Sequence, residues 1–452
     1  MIGAGWAGLA AAARLAAAGC AVTLLERRAR PGGRAFSFPD PGGGPPLDNG
    51  QHVLIGCCQR FSALLAGIGL PDAVRFQPAL HVPVHGDGRW GTLGSARLPG
   101  PFHLLPAVLR YRHLTVGERM GALRAAAALA MGPPVPRSPD GTFDAWLRGH
   151  GCGPRATARL WNPIGVALLN AQADQASAVQ ATAALRTGFM RGWRAATLGL
   201  FTTPLGAAAD QALAALRALG VDVRLRTAAA GLEGVGAGGG IRAIRLASGE
   251  RLPASACLAA VPPDALGSLL PPGWRTHPVF AGAARLRWSP IFNLYLYYDR
   301  VVMDQELAAL LEGDLPFVFN RGRLLGRPEL DGRLLGVSVS AAGHLAGLGL
   351  DAITTRLHDQ LGRALPRAAG ARLLRAVPVW QRHATFLPEP GSAAWRAPAE
   401  SPWPGLYLAG DWTATGWPAC LEGAVRSGDE AAGRLLGARA AVQAPVVAQG
   451  PA

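Results

Sequence analysis

Three groups of residues in this chain have types and spacings suited to chemistry. Near the start, Gly3, Gly5 and Gly8 form GxGxxG ahead of an alanine-rich run, and Glu26 follows 23 positions after Gly3. Glycines so spaced allow a tight turn, close approach of the backbone to a pyrophosphate, and close packing of helix on strand. An acidic residue about 20 positions on can bind an adenosine ribose. The second group is "LDNGQHVLIG", residues 47–56, where Asp48, Asn49, Gln51 and His52 precede an apolar run. Polar groups ahead of a buried strand need partners. Either Asn49-Gly50 builds a turn and His52 makes a structural hydrogen bond, or His52 is a general acid oriented by Asp48 or Gln51. His383, in "WQRHATF", is a further proton-transfer candidate, with a solvated or structural histidine as the alternative. The third group is "GLYLAGDWTATGWPACLEGAVRSGDEAAGRLL", where Gly410-Asp411 ends a strand, the place at which doubly wound sheets bind ligands.

These groups need elements to position them. The pattern predicts a helix from the glycines to Ala18, Gly19 as its C-cap, and a strand "AVTLLE" ending in Glu26. The strand that should precede the glycines is reduced to Met1-Ile2, so either the start lies several residues too late or the sheet begins with a stub. Near the other end, "LYLAG" reads as a buried strand and the run from Leu421 as a helix. Between them, a helix over 206–219, the strand "VDVRLRT", a glycine-rich turn at 236–240 and the strands "IRAIRLA" and "ERLPASACLAAVPP" are expected.

Composition bounds the partners. The chain has 452 residues, 50% of them hydrophobic and 16% charged, enough for two or three domains with sizeable cores. The net charge is +15, and all 44 basic residues are arginine. Without blocks of like charge or basic stretches interleaved with aromatics, nucleic acid is not an expected partner; anionic lipid is the better one. Six cysteines without a CxxC pair indicate neither a disulfide framework nor a zinc site, and no metal is expected. A cytoplasmic setting follows. The alanine-rich start superficially resembles a secretory segment, but no positive charge precedes it. No apolar run of about 18 residues demands a spanning helix, so contact with the inner membrane face should be peripheral. Residues 98–135 alternate apolar turns with arginines, which suits either an interfacial insertion or amphipathic helices covering the core.

GxGxxG, Glu26 and "RRARPGGRAFSF" in one run resemble the extended flavin fingerprint of the amine oxidase and carotenoid desaturase superfamily. The resemblance implies FAD and an α/β fold: a discontinuous Rossmann-like FAD-binding domain beside a mixed α+β substrate domain. The FAD-binding segments would be 1–75, 200–265 and 395–440; the substrate domain would be helical over 76–199 and sheet over 266–394, with a disordered tail at 441–452. Gly32 and Gly33 would offer backbone to the cofactor, Arg34 would pair a phosphate, and Arg27 would adjoin Glu26. Thr227 to Ala229 would contact adenine through backbone. Asp411 would bind the ribityl or pyrophosphate portion, and the helix start at Gly423 and Ala424 would face the flavin pyrimidine carbonyl.

Amine oxidases of this fold typically place a lysine at the flavin, and this chain has none. "LDNGQHVLIGCCQR", "WNPIGVALLN" and "GDWTATGWPACLEGAVRSG" together resemble the squalene-associated FAD-dependent desaturases, the hydroxysqualene dehydroxylases of hopanoid-producing bacteria. That resemblance implies reductive removal of the hydroxyl of hydroxysqualene to give squalene, with the electron donor to FAD left open. A general acid and an apolar tunnel would be needed, with Trp161, Trp288, Phe292, Tyr295, Trp380 and Trp417 as lining or core residues. A carotenoid-type polyene desaturase and a non-catalytic, flavin-dependent membrane scaffold are the alternatives.

Overall fold

A computed structural model describes residues 1–133, 139–234 and 239–443. Gly3 adopts φ +100°, and a Cβ on Gly8 would lie 2.0 Å from the Gly3 carbonyl oxygen. Only bare backbone therefore lets the helix Trp6–Ala17 start where it does. Its small residues admit the helix Leu421–Gln443 closely, and a Cβ on Gly428 would lie 2.1 Å from the Ala7 carbonyl oxygen.

Beneath these helices is a parallel sheet. Thr23–Leu25 pairs with Asp222–Arg224, and Cys257–Ala259 pairs with Leu406–Leu408. Ile2 lies between the two pairs, bridging in parallel to Leu25 and to Ala259. Met1-Ile2 fills the slot of the first strand: Ile2 N–H donates to Leu258 at 3.0 Å, Gly3 N–H to Leu25 at 2.7 Å, and the Met1 amino group to Thr23 at 2.7 Å. Burial lowers that amino group below its ordinary pKa of 8.0. The α/β fold is the one the sequence predicts.

A second sheet has seven strands, in the order Leu373–Phe386, Trp288–Tyr298, Leu334–Val339, Phe317–Asn320, Leu307–Leu310, His81–Gly86 and Arg89–Gly94. One junction in it is parallel, between Leu307–Leu310 and His81–Gly86. The segment 76–199, expected to be helical, therefore contributes two strands before its helices begin. The cause is the alternation in "HVPVHG", which buries Val82 and Val84. Helices follow at Leu105–Leu109 and Val116–Met131, the latter started by a Thr115–Glu118 capping box.

Asn49-Gly50 bends the chain into the strand Val53–Ile55, as expected, and the strands on its two sides belong to different sheets. Leu47–Asp48 pairs with Ser37–Phe38, while Val53–Ile55 pairs with Leu198–Phe201, so the chain changes sheets there. Asn49 anchors the bend: its side chain donates to the Arg34 carbonyl at 2.8 Å and accepts from Phe36 N–H at 3.0 Å. Most of the glycine-rich turn, 235–238, and the expected tail from 444 onward lie outside the described residues. No described helix is long and apolar enough to cross a membrane.

Candidate active site

The glycine loop and the GGR segment pack on each other. Gly32 N–H donates to the Ala4 carbonyl at 2.9 Å, and Gly32 and Gly33 adopt φ +92° and +62°. Gly33 must be glycine because a Cβ there would stand 3.0 Å from Gly5 Cα. Gly5 is the N-cap of the first helix and has no side chain to spend on the first-turn N–H groups. Glu26 closes the other side: its carboxylate accepts from Ala4 N–H and Arg28 N–H, each at 2.9 Å.

The C-terminal fingerprint meets this loop through an ion pair. The Arg34 guanidinium binds Asp411 and also donates to the Ala384 carbonyl at 3.0 Å. Arg34 is therefore first the partner of Asp411, not an uncommitted phosphate ligand. Gly410, at φ +142°, donates its N–H to Ser427 Oγ at 2.8 Å. A residue not singled out from the sequence, Arg396, lies buried behind this turn and donates to the Asp411 carbonyl at 3.0 Å. Burial lowers its pKa to about 10, so it remains a cation at neutral pH.

The N–H groups of Gly423 and Ala424, in the helix start expected to face the flavin ring, are engaged within the chain. Gly423 N–H points to Cys420 Sγ at 3.3 Å and Ala424 N–H to the Cys420 carbonyl at 2.9 Å, as the third and fourth residues of the helix. The helix begins at Leu421, and Leu421, Glu422 and Ala424 reach the cavity wall. Glu422, also not singled out, is fully buried and accepts from Arg60 N–H at 3.2 Å and Phe61 N–H at 2.8 Å. One carboxylate thereby caps the helix Gln59–Gly67 from the start of another.

These elements wall a cavity of about 880 Å³. It runs from the glycine loop past Gln51 and His52 to Leu104, Val108, Leu123 and Ala126. Of the six aromatic residues expected to line a tunnel, Trp161 and Trp417 do. The other four are held elsewhere: Phe292 packs on Trp380, Trp288 on His383, and the Tyr295 hydroxyl donates to the Asp48 carbonyl at 2.8 Å.

The three proton-transfer candidates separate. His383 is exposed, off the cavity wall, and stacked on Trp288 with ring centroids 5.2 Å apart, which removes it from the site. Asp48 is removed as well. Its Oδ1 accepts from Ser37 Oγ at 2.7 Å and Leu205 N–H at 3.0 Å, and its Oδ2 accepts from the buried Arg321 at 2.9 Å. It does not line the cavity and makes no hydrogen bond to His52 among the described residues. Arg321, unmarked in the sequence, also donates to Gln51 Oε1 at 3.1 Å.

His52 does line the cavity, oriented by neither Asp48 nor the Gln51 side chain. Its Nδ1 stands 3.0 Å from the Gly50 carbonyl, which can only accept, so Nδ1 carries a proton and Nε2 a lone pair in the neutral ring. Burial, chiefly, pulls its pKa below the ordinary 6.5. At neutral pH the ring is uncharged, and a proton is donated from Nε2 only by the minor imidazolium form. Asn293 fixes the adjoining backbone, donating to the Asn49 carbonyl at 3.2 Å and accepting from Gln51 N–H at 3.4 Å.

The profile of a family described as flavin containing amine oxidoreductase matches residues 6–436. Hydroxysqualene dehydroxylase of Rhodopseudomonas palustris is 30% identical, over 97% of this chain and 98% of that protein. A chloroplastic/chromoplastic zeta-carotene desaturase of Zea mays is 25% identical, over 97% of this chain and 83% of that protein. Among solved structures, a putrescine oxidase double mutant superposes with a TM-score of 0.73 at 19% identity, covering 96% of this chain and 98% of that one. This last likeness is one of fold.

Proposed function

The chain belongs to the flavin containing amine oxidoreductases and is an FAD-dependent oxidoreductase, and from that premise we propose that it reductively removes the hydroxyl of hydroxysqualene to give squalene. The observation that carries this reading is the cavity. A single, largely apolar space leads from the dinucleotide loops past one histidine and on between apolar helices. A long hydrocarbon with one polar handle suits such a space.

The residues at the polar end fit FAD. A Cβ at Gly5 would meet nothing nearer than Gly33 Cα at 3.8 Å, so glycine keeps a groove open at the helix start. The uncapped N–H groups there would take the diphosphate. Glu26 would accept from a ribose hydroxyl through its remaining lone pairs, beside Arg27, and the backbone at 227–229 would face adenine. Asp411 would hold the ribityl or pyrophosphate portion, with Arg34 balancing its charge. The helix start at Leu421, rather than Gly423 and Ala424, would meet the pyrimidine carbonyl. When bound and reduced, FAD supplies the hydride.

Hydroxide leaves poorly unless protonated, and His52 would provide that proton from Nε2 while Gly50 holds the opposite edge of the ring. The apolar walls would hold the polyene and exclude water. A substrate so insoluble is taken from a bilayer, which puts the enzyme at the cytoplasmic membrane face. The desaturase relative supports a second reading, in which hydride leaves a saturated bond of a polyene.

One experiment separates them. The purified protein, chemically reduced under anaerobic conditions, should reoxidise its flavin on addition of hydroxysqualene and form squalene in equal amount. If the oxidised protein instead desaturates a carotene precursor, the second reading replaces the first. Binding of FAD and lipid without either turnover would leave a scaffold and overturn both.

A further inference from the structure

Residues 98–131 leave an unusual surface. Phe102 is 59% exposed, Val116 73% and Met131 79%, and Leu98, Leu109 and Met120 are exposed beside them. Scattered exposed apolar residues need no explanation, but seven of the thirteen large ones among the described residues fall in this one segment. Phe102, Leu105 and Met131 also line the cavity, so the cavity wall reaches the surface within this set. The charge around it has one sign: from Arg89 to Met131 there are six arginines and one carboxylate, Glu118. That carboxylate is spent on Thr115 N–H at 2.8 Å. Arg97, Arg110 and Arg112 are exposed and form no ion pair among the described residues. Pro99 bridges to Gly192, which brings exposed Arg191 and Arg194 alongside.

We propose that this face docks on an anionic lipid bilayer, with the large apolar side chains inserted among acyl chains and the arginines on lipid phosphates, so that the cavity mouth opens into the hydrocarbon layer. A second protein would need its own compensating carboxylates and a matching shape, whereas a bilayer supplies both apolar depth and negative charge over any outline. That the mouth serves as the substrate's entrance rests on the hydrocarbon-substrate reading; the lipid contact does not.

The test is flotation of the FAD-loaded protein with vesicles of phosphatidylcholine alone or mixed with phosphatidylglycerol. Wild type should float with the mixed vesicles and release as salt is raised. Leu109→Glu with Val116→Glu, neither lining the cavity, should cut partitioning tenfold or more while flavin absorbance and turnover of detergent-presented substrate stay unchanged. Leu348→Glu, on another exposed apolar residue, should float like wild type. Equal flotation of the double variant and wild type, or no flotation of either, would overturn the proposal. So would self-association of wild type in sedimentation that the double variant loses without a change in flotation, which would make the face a self-association surface. Flotation does not read turnover, so intact flotation without dehydroxylation would sink the function and leave the surface, and the converse would do the opposite.

Discussion

His52 stands apart from the carboxylates on the cavity wall because its Nε2 is uncommitted. Glu26 is held by two backbone N–H groups, Asp411 by Arg34, and Glu422 by two backbone N–H groups and Arg426. His52→Ala should keep FAD, seen in the visible spectrum, and slow turnover by about 10², the usual contribution of a general acid. Because burial depresses its pKa below 6.5, the imidazolium is scarce at pH 7, and kcat/KM should rise as pH falls toward that pKa. The rising limb should vanish in His52→Ala; a flat profile in wild type would remove His52 from proton transfer. Asp48 and Arg321 act on structure instead, with side chains 2% and 1% exposed. Arg321→Met should destabilise by about 3–5 kcal/mol in a urea melt, the cost of stranding a buried charge. Adding Asp48→Asn should recover part of that loss. Asp48 was legible as a residue with work to do; its partner, 273 positions away, was not.

Among the elements, the glycine-bearing loop is the least tolerant. Gly8→Ala places a methyl 2.0 Å from a backbone oxygen that cannot move without breaking the sheet, so the protein should purify colourless, without flavin. Glu422 joins two helix starts, and Glu422→Gln exchanges a charge-assisted cap for a neutral one. A loss of about 1–3 kcal/mol is expected, read as a lower thermal midpoint and faster flavin release. The helices at 6–17, 205–218 and 421–443 were legible because apolar period and end signals are local. The hairpin 81–94 was not, nor was the pairing on either side of the bend at Asn49-Gly50, although the bend itself was. Asn-Gly signals a turn but not its flanks' partners, and here each flank pairs in a different sheet.

At the scale of the molecule, burial lowers the pKa of His52, His103 and His113 below 6.5. The unfolded chain therefore binds more protons than the folded one just below that value. Stability from this source is complete above pH 6.5 and is lost as pH falls through it toward the folded values. Asp40 acts in the same direction in a lower window: its Arg375 partner holds its carboxyl far below the usual 3.8, so its contribution is lost only as pH falls beneath that value. The thermal midpoint should thus decline as pH falls below 6.5 on account of the histidines; a flat midpoint there would refute the assignment. Sequence alone determined the dinucleotide loops, because glycine spacing, cap residues and a strand's acidic end act over a few residues through backbone sterics, and the resemblance of its motifs to known flavoproteins implied the cofactor class and the family. Tertiary structure alone decided that His52 faces the cavity while Asp48, four residues earlier, turns to Arg321. It also decided that His383 faces solvent and that the apolar residues of 98–131 divide between cavity wall and surface. Which side of a strand or helix is buried depends on what packs against it, and here those partners lie hundreds of residues away.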